Sequence, residues 1–141
     1  MSRTIPKPTK ISAPFWEGCR QGVLKLQQCR DCRTHVYYPA YMCPACASLA
    51  LDWVDVSGRG RVYSRTRIEE PVSAASGTRE PLVVALVELE EGPVMMSNIV
   101  GPDSDTVAIG DAVRVTFQHI SDEIALPVFT PADESAEGTA A

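Results

Sequence analysis

Four cysteines, in the order Cys29-Arg30-Asp31-Cys32 and Cys43-Pro44-Ala45-Cys46, constrain this 141-residue chain more than any other feature. Two Cys-x-x-Cys pairs separated by about ten residues have the usual spacing of a four-thiolate zinc site. Two intervening residues let the backbone turn sharply enough to aim both sulfurs at one ion, and the loop lets a second turn complete a tetrahedron. Zinc suits the set because it accepts soft thiolates and brings no redox chemistry. Four sulfurs leave no position for water, so the ion would hold structure and do no chemistry. Two disulfides are the competing reading. The segment Met1–Lys7 has a basic start without the apolar core of an export signal, and a cytoplasmic chain keeps its thiols reduced. A redox dithiol would need only one pair. His35 lies between the pairs, but four sulfurs already complete the set, so it reads as a surface or packing histidine. Zinc turns commonly carry Gly after the second cysteine, where φ is positive; here those positions hold Arg33 and Ala47.

Composition places few limits beyond this. With 141 residues, 45% of them hydrophobic, the chain suits one domain or one domain with an appendage. No apolar run reaches the ~18–20 residues needed to span a bilayer, and a cytoplasmic location is the default. The net charge of −5 conceals a split. Residues 1–67 hold eleven Lys/Arg against four acids, and residues 68–141 hold two against fourteen, giving +7 and −12. One basic and one acidic face are expected.

Residues 1–11, with Pro6 and Pro8, read as an extended arm. Ser12 can cap a short helix with Pro14 in its first turn, and Phe15, Cys19 and Val23 fall on one face at i, i+4 and i+8. Phe15 and Trp16 make that helix a candidate for docking on a partner; packing on its own domain is the plainer alternative. Cys19 lies outside the metal spacing and reads as a buried thiol, because no local His or acid would activate it. Alternation from Val23 to Gln28 predicts a strand entering the first metal turn, and Arg33–Pro39 returns toward the second, making a zinc ribbon of two turns on short hairpins.

After Cys46 the pattern is uniformly β. Strands are expected at Leu51–Val56, Arg59–Ile68, Leu82–Glu90, Val94–Val100, Ala112–His119 and Ile124–Phe129, with a loop at Pro71–Pro81. Alternating faces and tight turns match a small five-stranded oligonucleotide/oligosaccharide-binding (OB) barrel. The expected organisation is arm 1–11, helix and ribbon 12–50, barrel 51–131 and a disordered tail 132–141. The whole is a mainly β protein.

A period of two through Arg59–Ile68 puts Arg59, Arg61, Tyr63, Arg65 and Arg67 on one face, and Val62 and Ile68 on the other. Four guanidiniums around a tyrosine could hold phosphates or a stacked base. They could equally form a solvated face paired with the acidic half of the chain. A β-bulge near Gly58-Arg59-Gly60 would break this register.

The run of Phe15-Trp16-Glu17, the two cysteine pairs, Trp53-Val54, Ser57-Gly58-Arg59-Gly60, Val62-Tyr63-Ser64, Pro81–Leu89, Glu91-Gly92-Pro93 and Ile109-Gly110-Asp111 resembles the acyl-CoA-associated OB-fold family with an N-terminal rubredoxin-like zinc ribbon. The resemblance covers roughly residues 13–131. It implies a non-catalytic accessory subunit that binds a thiolase-like enzyme, a sterol side-chain aldolase or a hydratase, and assists acyl-CoA handling in lipid or sterol side-chain metabolism. Arg59, Arg61, Tyr63, Arg65 and Arg67 would then contact CoA or the partner, and no residue is assigned a catalytic role. A nucleic-acid-binding module is the alternative, since ribbons and OB barrels both serve there. A net charge of −5 with an acidic barrel half opposes it. A free-standing hydrolase would need a nucleophile matched to a base, and no such set is evident.

Overall fold

The computed structural model describes residues 5–69 and 82–132. The expected loop at Pro71–Pro81 and all but the first residue of the expected tail lie outside the described residues, as do the first four residues of the arm.

Five strands close into a barrel: β4 (Arg59–Ile68), β5 (Leu82–Leu89), β6 (Val94–Ile99), β7 (Ala112–His119) and β8 (Ala125–Pro131), in the order β4-β5-β6-β8-β7. All neighbours are antiparallel except β6 and β8. This is the OB arrangement expected from the alternating pattern. On β5 the alternation is complete, with Val83, Ala85, Val87 and Leu89 buried against Val62, Met95, Ile99, Val113 and Phe129.

The ribbon has its own sheet. β1 (Lys25–Cys29) pairs on one side with β2 (His35–Val36) and on the other with β3 (Leu51–Asp55). The strand at 51–55, expected to open the barrel, therefore belongs to the ribbon sheet, in register from Lys25↔Asp55 to Cys29↔Leu51. Alternation identifies a strand but is silent about its neighbour; here the second metal turn returns the chain directly alongside β1. The turn at Gly58 then admits the barrel. Its φ is +77°, and a Cβ there would lie 2.4 Å from Val115 Cγ1, so only glycine fits.

The helix α1 (Ala13–Gln21) solves a problem that the barrel leaves open. Strands β6 and β8 meet in a single register pair, Ile99↔Phe129, and diverge from there. Helix α1 packs on β1, β7 and β8. Phe15 and Cys19, with Leu24 and Leu26 of the ribbon's lead-in, join the same buried cluster as the barrel strands. Burying Phe15 alone is worth about 1.5–3 kcal/mol. Helix and barrel thus share one core, and the plainer reading of α1 holds for Phe15, which is 1% exposed and not available to a partner. Val23 follows the helix and is only half-buried. Ser12 does not cap forward as expected. Its backbone is αR (φ −93°, ψ −7°), not the extended conformation usual for a capping residue, and its hydroxyl makes no cap bond; it accepts from Thr9 N–H at 2.9 Å instead. At the other end Gly22, at φ 84°, closes α1 by donating to Cys19 O, and Val23 N–H donates to Gly18 O.

Candidate functional site

The metal centre is built from two turns of the same design. In the first, Arg33 N–H donates to Cys29 O at 2.9 Å and Cys29 N–H to Thr34 O at 2.9 Å. In the second, Ala47 N–H donates to Cys43 O and Cys43 N–H to Ser48 O, both at 2.8 Å. Backbone amides also point at sulfur: Cys32 N–H lies 3.5 Å from Cys29 Sγ, and Ala45 N–H 3.4 Å from Cys43 Sγ. Both positions where glycine is usual do take positive φ, 68° at Arg33 and 66° at Ala47. The turns keep their geometry, at a cost of about 1–2 kcal/mol each for a side chain in that region. Only the first turn sits on a hairpin, β1–β2. The second is tied to the sheet by Arg30 N–H donating to Ala50 O at 2.8 Å.

These turns bring the four Sγ atoms within 4.8 Å of one another, with Cys29–Cys46 and Cys32–Cys43 each at 3.6 Å. A zinc ion with bonds of about 2.3 Å needs sulfurs about 3.8 Å apart, so the set fits it. The electrostatics agree. The Thr34 hydroxyl and amide hold the Cys32 thiol down to about 6, and the Cys32 amide lowers Cys29. The Ser48 amide favours the Cys46 thiolate, but desolvation and its three sulfur neighbours outweigh this and push it up to about 12. Four thiolates this close do not all ionise without a cation to share. Cys29, Cys32, Cys43 and Cys46 would hold zinc as a closed structural site. His35 stands in β2, outside the cluster.

Cys19 is fully buried, and burial pushes its thiol up to about 12, which disarms it as a nucleophile.

The arginine strand departs from expectation. β4 carries its bulge at Tyr63, between the pairs Val62↔Val87 and Ser64↔Leu86, and not near Gly58–Gly60. One extra residue inverts every side chain beyond it. Arg59, Arg61 and Tyr63 stay on the outer face, while Arg65 and Arg67 now sit opposite Ala85 and Val83, whose side chains point into the barrel. There they clamp the connector before β7. Arg65 Nη1 donates to Val107 O at 2.6 Å and Asp105 O at 3.1 Å, and Arg67 Nη1 to Asp105 Oδ2 at 2.7 Å. Arg59 pairs with Glu90 at 3.2 Å, and Arg61 donates to Gly110 O at 3.0 Å. The structure does not present a four-arginine stripe. Of these arginines, Arg59 and Arg67 pair with acids of the chain's acidic half, whereas Arg61 and Arg65 bond main-chain carbonyls. A 320 Å³ cavity is lined by Arg59 and Arg61 together with Glu88 and Glu90.

The sequence reading missed a second surface. Trp16 packs edge-on to Phe15, with ring centres 5.0 Å apart, and Tyr38 stands 6.1 Å from Phe15 and 5.5 Å from Tyr37. With Met95, Met96 and Leu126 they line a 190 Å³ groove where β6 and β8 diverge. The adjacent tyrosines were the available signal. The loop that carries them is anchored by Gln27, a buried amide that accepts from Ala40 N–H at 2.8 Å and donates to Ala40 O at 2.9 Å.

Fold and site together define a zinc-ribbon/OB-barrel protein. Residues 16–52 match the rubredoxin-like zinc ribbon domain of ChsH2, and residues 53–118 match the ChsH2 C-terminal OB-fold domain. The chain belongs to this ChsH2 (DUF35) family, as its resemblance implied. It is 37% identical over 130 residues to a probable enoyl-CoA hydratase alpha subunit of Thermomonospora curvata, covering 92% of this chain and 40% of that one. It therefore spans less than half of that relative's length. It is also 37% identical over 98 residues to a DUF35 domain-containing scaffold protein of Methanothermobacter thermautotrophicus, covering 68% of this chain and 72% of the relative. Among solved structures, the chain in the Ltp2-ChsH2(DUF35) aldolase superposes with a TM-score of 0.79 at 37% identity, covering 91% of this chain and 99% of that one. No described helix is long and apolar enough to cross a membrane.

Proposed function

We propose that this chain is a non-catalytic accessory subunit. It binds a thiolase-like, aldolase or hydratase enzyme and assists that enzyme with acyl-CoA substrates in lipid or sterol side-chain metabolism. One observation carries the reading: the chain covers 99% of a chain in the solved Ltp2-ChsH2(DUF35) aldolase, at 37% identity. The chemistry of the site supports it. The metal set offers four thiolates and no coordination position for substrate, and the remaining cysteine is buried and disarmed.

Arg59 and Arg61, which line the 320 Å³ cavity, and Tyr63, exposed on the same face of the strand, are the part of the arginine strand suited to a CoA phosphate or a partner's carboxylate. Arg65 and Arg67 hold the connector and support the site only indirectly. Trp16, half-buried on the helix, keeps an edge for a partner, whereas Phe15 serves the core. A cytoplasmic location fits a protein that must keep four thiols reduced for its metal.

The test is a pull-down of the tagged chain from its own cells, with and without CoA thioesters, read by mass spectrometry. Recovery of a thiolase-like enzyme, an aldolase or a hydratase is expected. Recovery of ribonucleoprotein or nucleic acid instead would overturn the reading.

A further inference from the structure

The groove between β6 and β8 has an open hydrogen-bonding edge as well as an apolar lining. Leu89 N–H donates to Pro93 O, which sets the phase of the β5–β6 ladder. With the register Val87↔Met95 and Leu86↔Met96, the backbone groups of Met95 and Ser97 face β5, and those of Val94 and Met96 face the opposite edge. On that edge β8 joins only at Ile99↔Phe129, where Val100 N–H donates to Phe129 O at 2.8 Å. Among the described residues no strand pairs with Val94 or Met96 there. The β8 side of the wedge is closed differently. Pro127 has no N–H, and its carbonyl accepts from Ser97 Oγ at 2.7 Å. One wall of the groove is thus a short open strand edge and the other is blocked.

An open edge beside an apolar wall is the arrangement that takes up an extended peptide as an added strand, with main-chain hydrogen bonds for affinity and side-chain pockets for specificity. The chemistry of the occupant follows from the wall. Trp16, Tyr37, Tyr38, Met96 and Leu126 offer aromatic, thioether and aliphatic contacts, and no lining side chain is charged. The cavity beside Arg59 and Arg61 differs in kind, being charged and internally paired. Met96, 67% exposed, and Tyr38, 49% exposed, form the rim.

We infer that the β6 edge at Val94–Met96 receives an extended, uncharged, apolar segment of the partner enzyme subunit as an added strand, under the aromatic rim of Trp16 and Tyr38. This rests on the accessory-subunit reading for the identity of the partner, but not for the chemistry of the groove, and the two are tested separately. The groove is tested with a display library of linear decapeptides selected on the full zinc-loaded chain. Enriched sequences should be uncharged with alternating apolar residues. They should lose at least tenfold in affinity for Met96→Pro, which removes the edge amide, and for Met96→Lys, which charges the rim. Ile109→Ala, 67% exposed on the connector before β7, should bind unchanged. Zinc content and melting temperature are measured for each variant, and Met96→Lys keeps the test valid should Met96→Pro fail to fold. No enrichment, or enriched peptides insensitive to Met96→Lys, would overturn strand addition whatever the partner.

The partner is tested by hydrogen exchange of the chain bound to the enzyme subunit recovered with it. The Val94 and Met96 amides should slow at least tenfold. Recovery of the enzyme without that protection would leave the accessory reading standing and overturn this one. Dimerisation of the chain alone, abolished by Met96→Lys, would assign the edge to a second copy and overturn it too.

Discussion

The ribbon and the barrel are held together by opposite means. The barrel closes over a continuous apolar core that runs from Val62 through Val87, Leu89 and Met95 to Phe129. The ribbon buries little of its own beyond Val36, two of its cysteines and the Gln27 amide; its sheet has three strands, one of them two residues long. Such a module cannot offset its conformational entropy by burial, and a structural ion supplies the difference. The two are nevertheless not independent, because Phe15, Cys19, Leu24 and Leu26 come from the N-terminal side of the metal yet sit in the barrel's core. Leu26 of β1 ties the ribbon to the barrel's core, and the helix packs on β7 and β8 beside the groove.

Ribbon and barrel should differ most when the metal is lost. Cys29→Ser or Cys43→Ser should abolish zinc binding, which for structural sites is worth about 10–16 kcal/mol in apparent terms at neutral pH. Amides of residues 29–50 should exchange freely while those of β5 and β7 stay protected; a strong chelator should do the same. A barrel that melts with the ribbon would mean the two are one cooperative unit. Next in size is Phe15→Ala, expected to cost about 3–5 kcal/mol and to lower the barrel's melting transition. An effect confined to the ribbon would contradict the shared core.

The inverted half of β4 gives a sharper contrast between neighbours. Arg65→Ala removes hydrogen bonds to two carbonyls and should cost about 1.5–3 kcal/mol in thermal or urea unfolding. Arg61→Ala, on the exposed face, should stay within about 0.5 kcal/mol. Equal costs would mean that the bulge at Tyr63 does not separate the two arginines. Ala47→Gly relieves a positive φ and should stabilise the ribbon by about 0.5 kcal/mol, seen as slower zinc loss to a chelator.

The smallest effect concerns Glu90. Hydrogen bonds from the Arg59 guanidinium, with a further one from the Ser57 hydroxyl, hold its carboxyl below the usual 4.5. A depressed carboxylate contributes stability that is fully present above its unfolded value and is lost as pH falls through the folded one. Acid unfolding below about pH 4.5 should therefore be slightly shallower in Glu90→Gln than in the parent.

What the sequence revealed follows from the range of each signal. Cysteine spacing is a local constraint with one chemical solution, so the metal set was legible from residues 29–46 alone. Alternation is also local, and it located every barrel strand. Partnership between strands is not local. Nothing in Leu51–Asp55 distinguishes a barrel strand from a ribbon strand, because both have one face to bury. The bulge at Tyr63 was equally hidden, since the repeat Arg59-x-Arg61-x-Tyr63-x-Arg65-x-Arg67 continues unbroken in sequence while the backbone inverts. The helix showed its apolar face but not what that face covers, which depends on how far β6 and β8 part. The groove under Trp16 and Tyr38 arises at that same junction and is written in no single segment.

A turnover assay distinguishes a chain that assists acyl-CoA chemistry, as proposed, from one that performs it. The zinc-loaded chain is mixed with a panel of CoA thioesters, alone and with the enzyme subunit recovered from its own cells, and substrate loss is followed by mass spectrometry. The account predicts no turnover by the chain alone and faster turnover by the enzyme when the chain is present. Turnover by the chain alone, or an enzyme indifferent to it, would contradict the account.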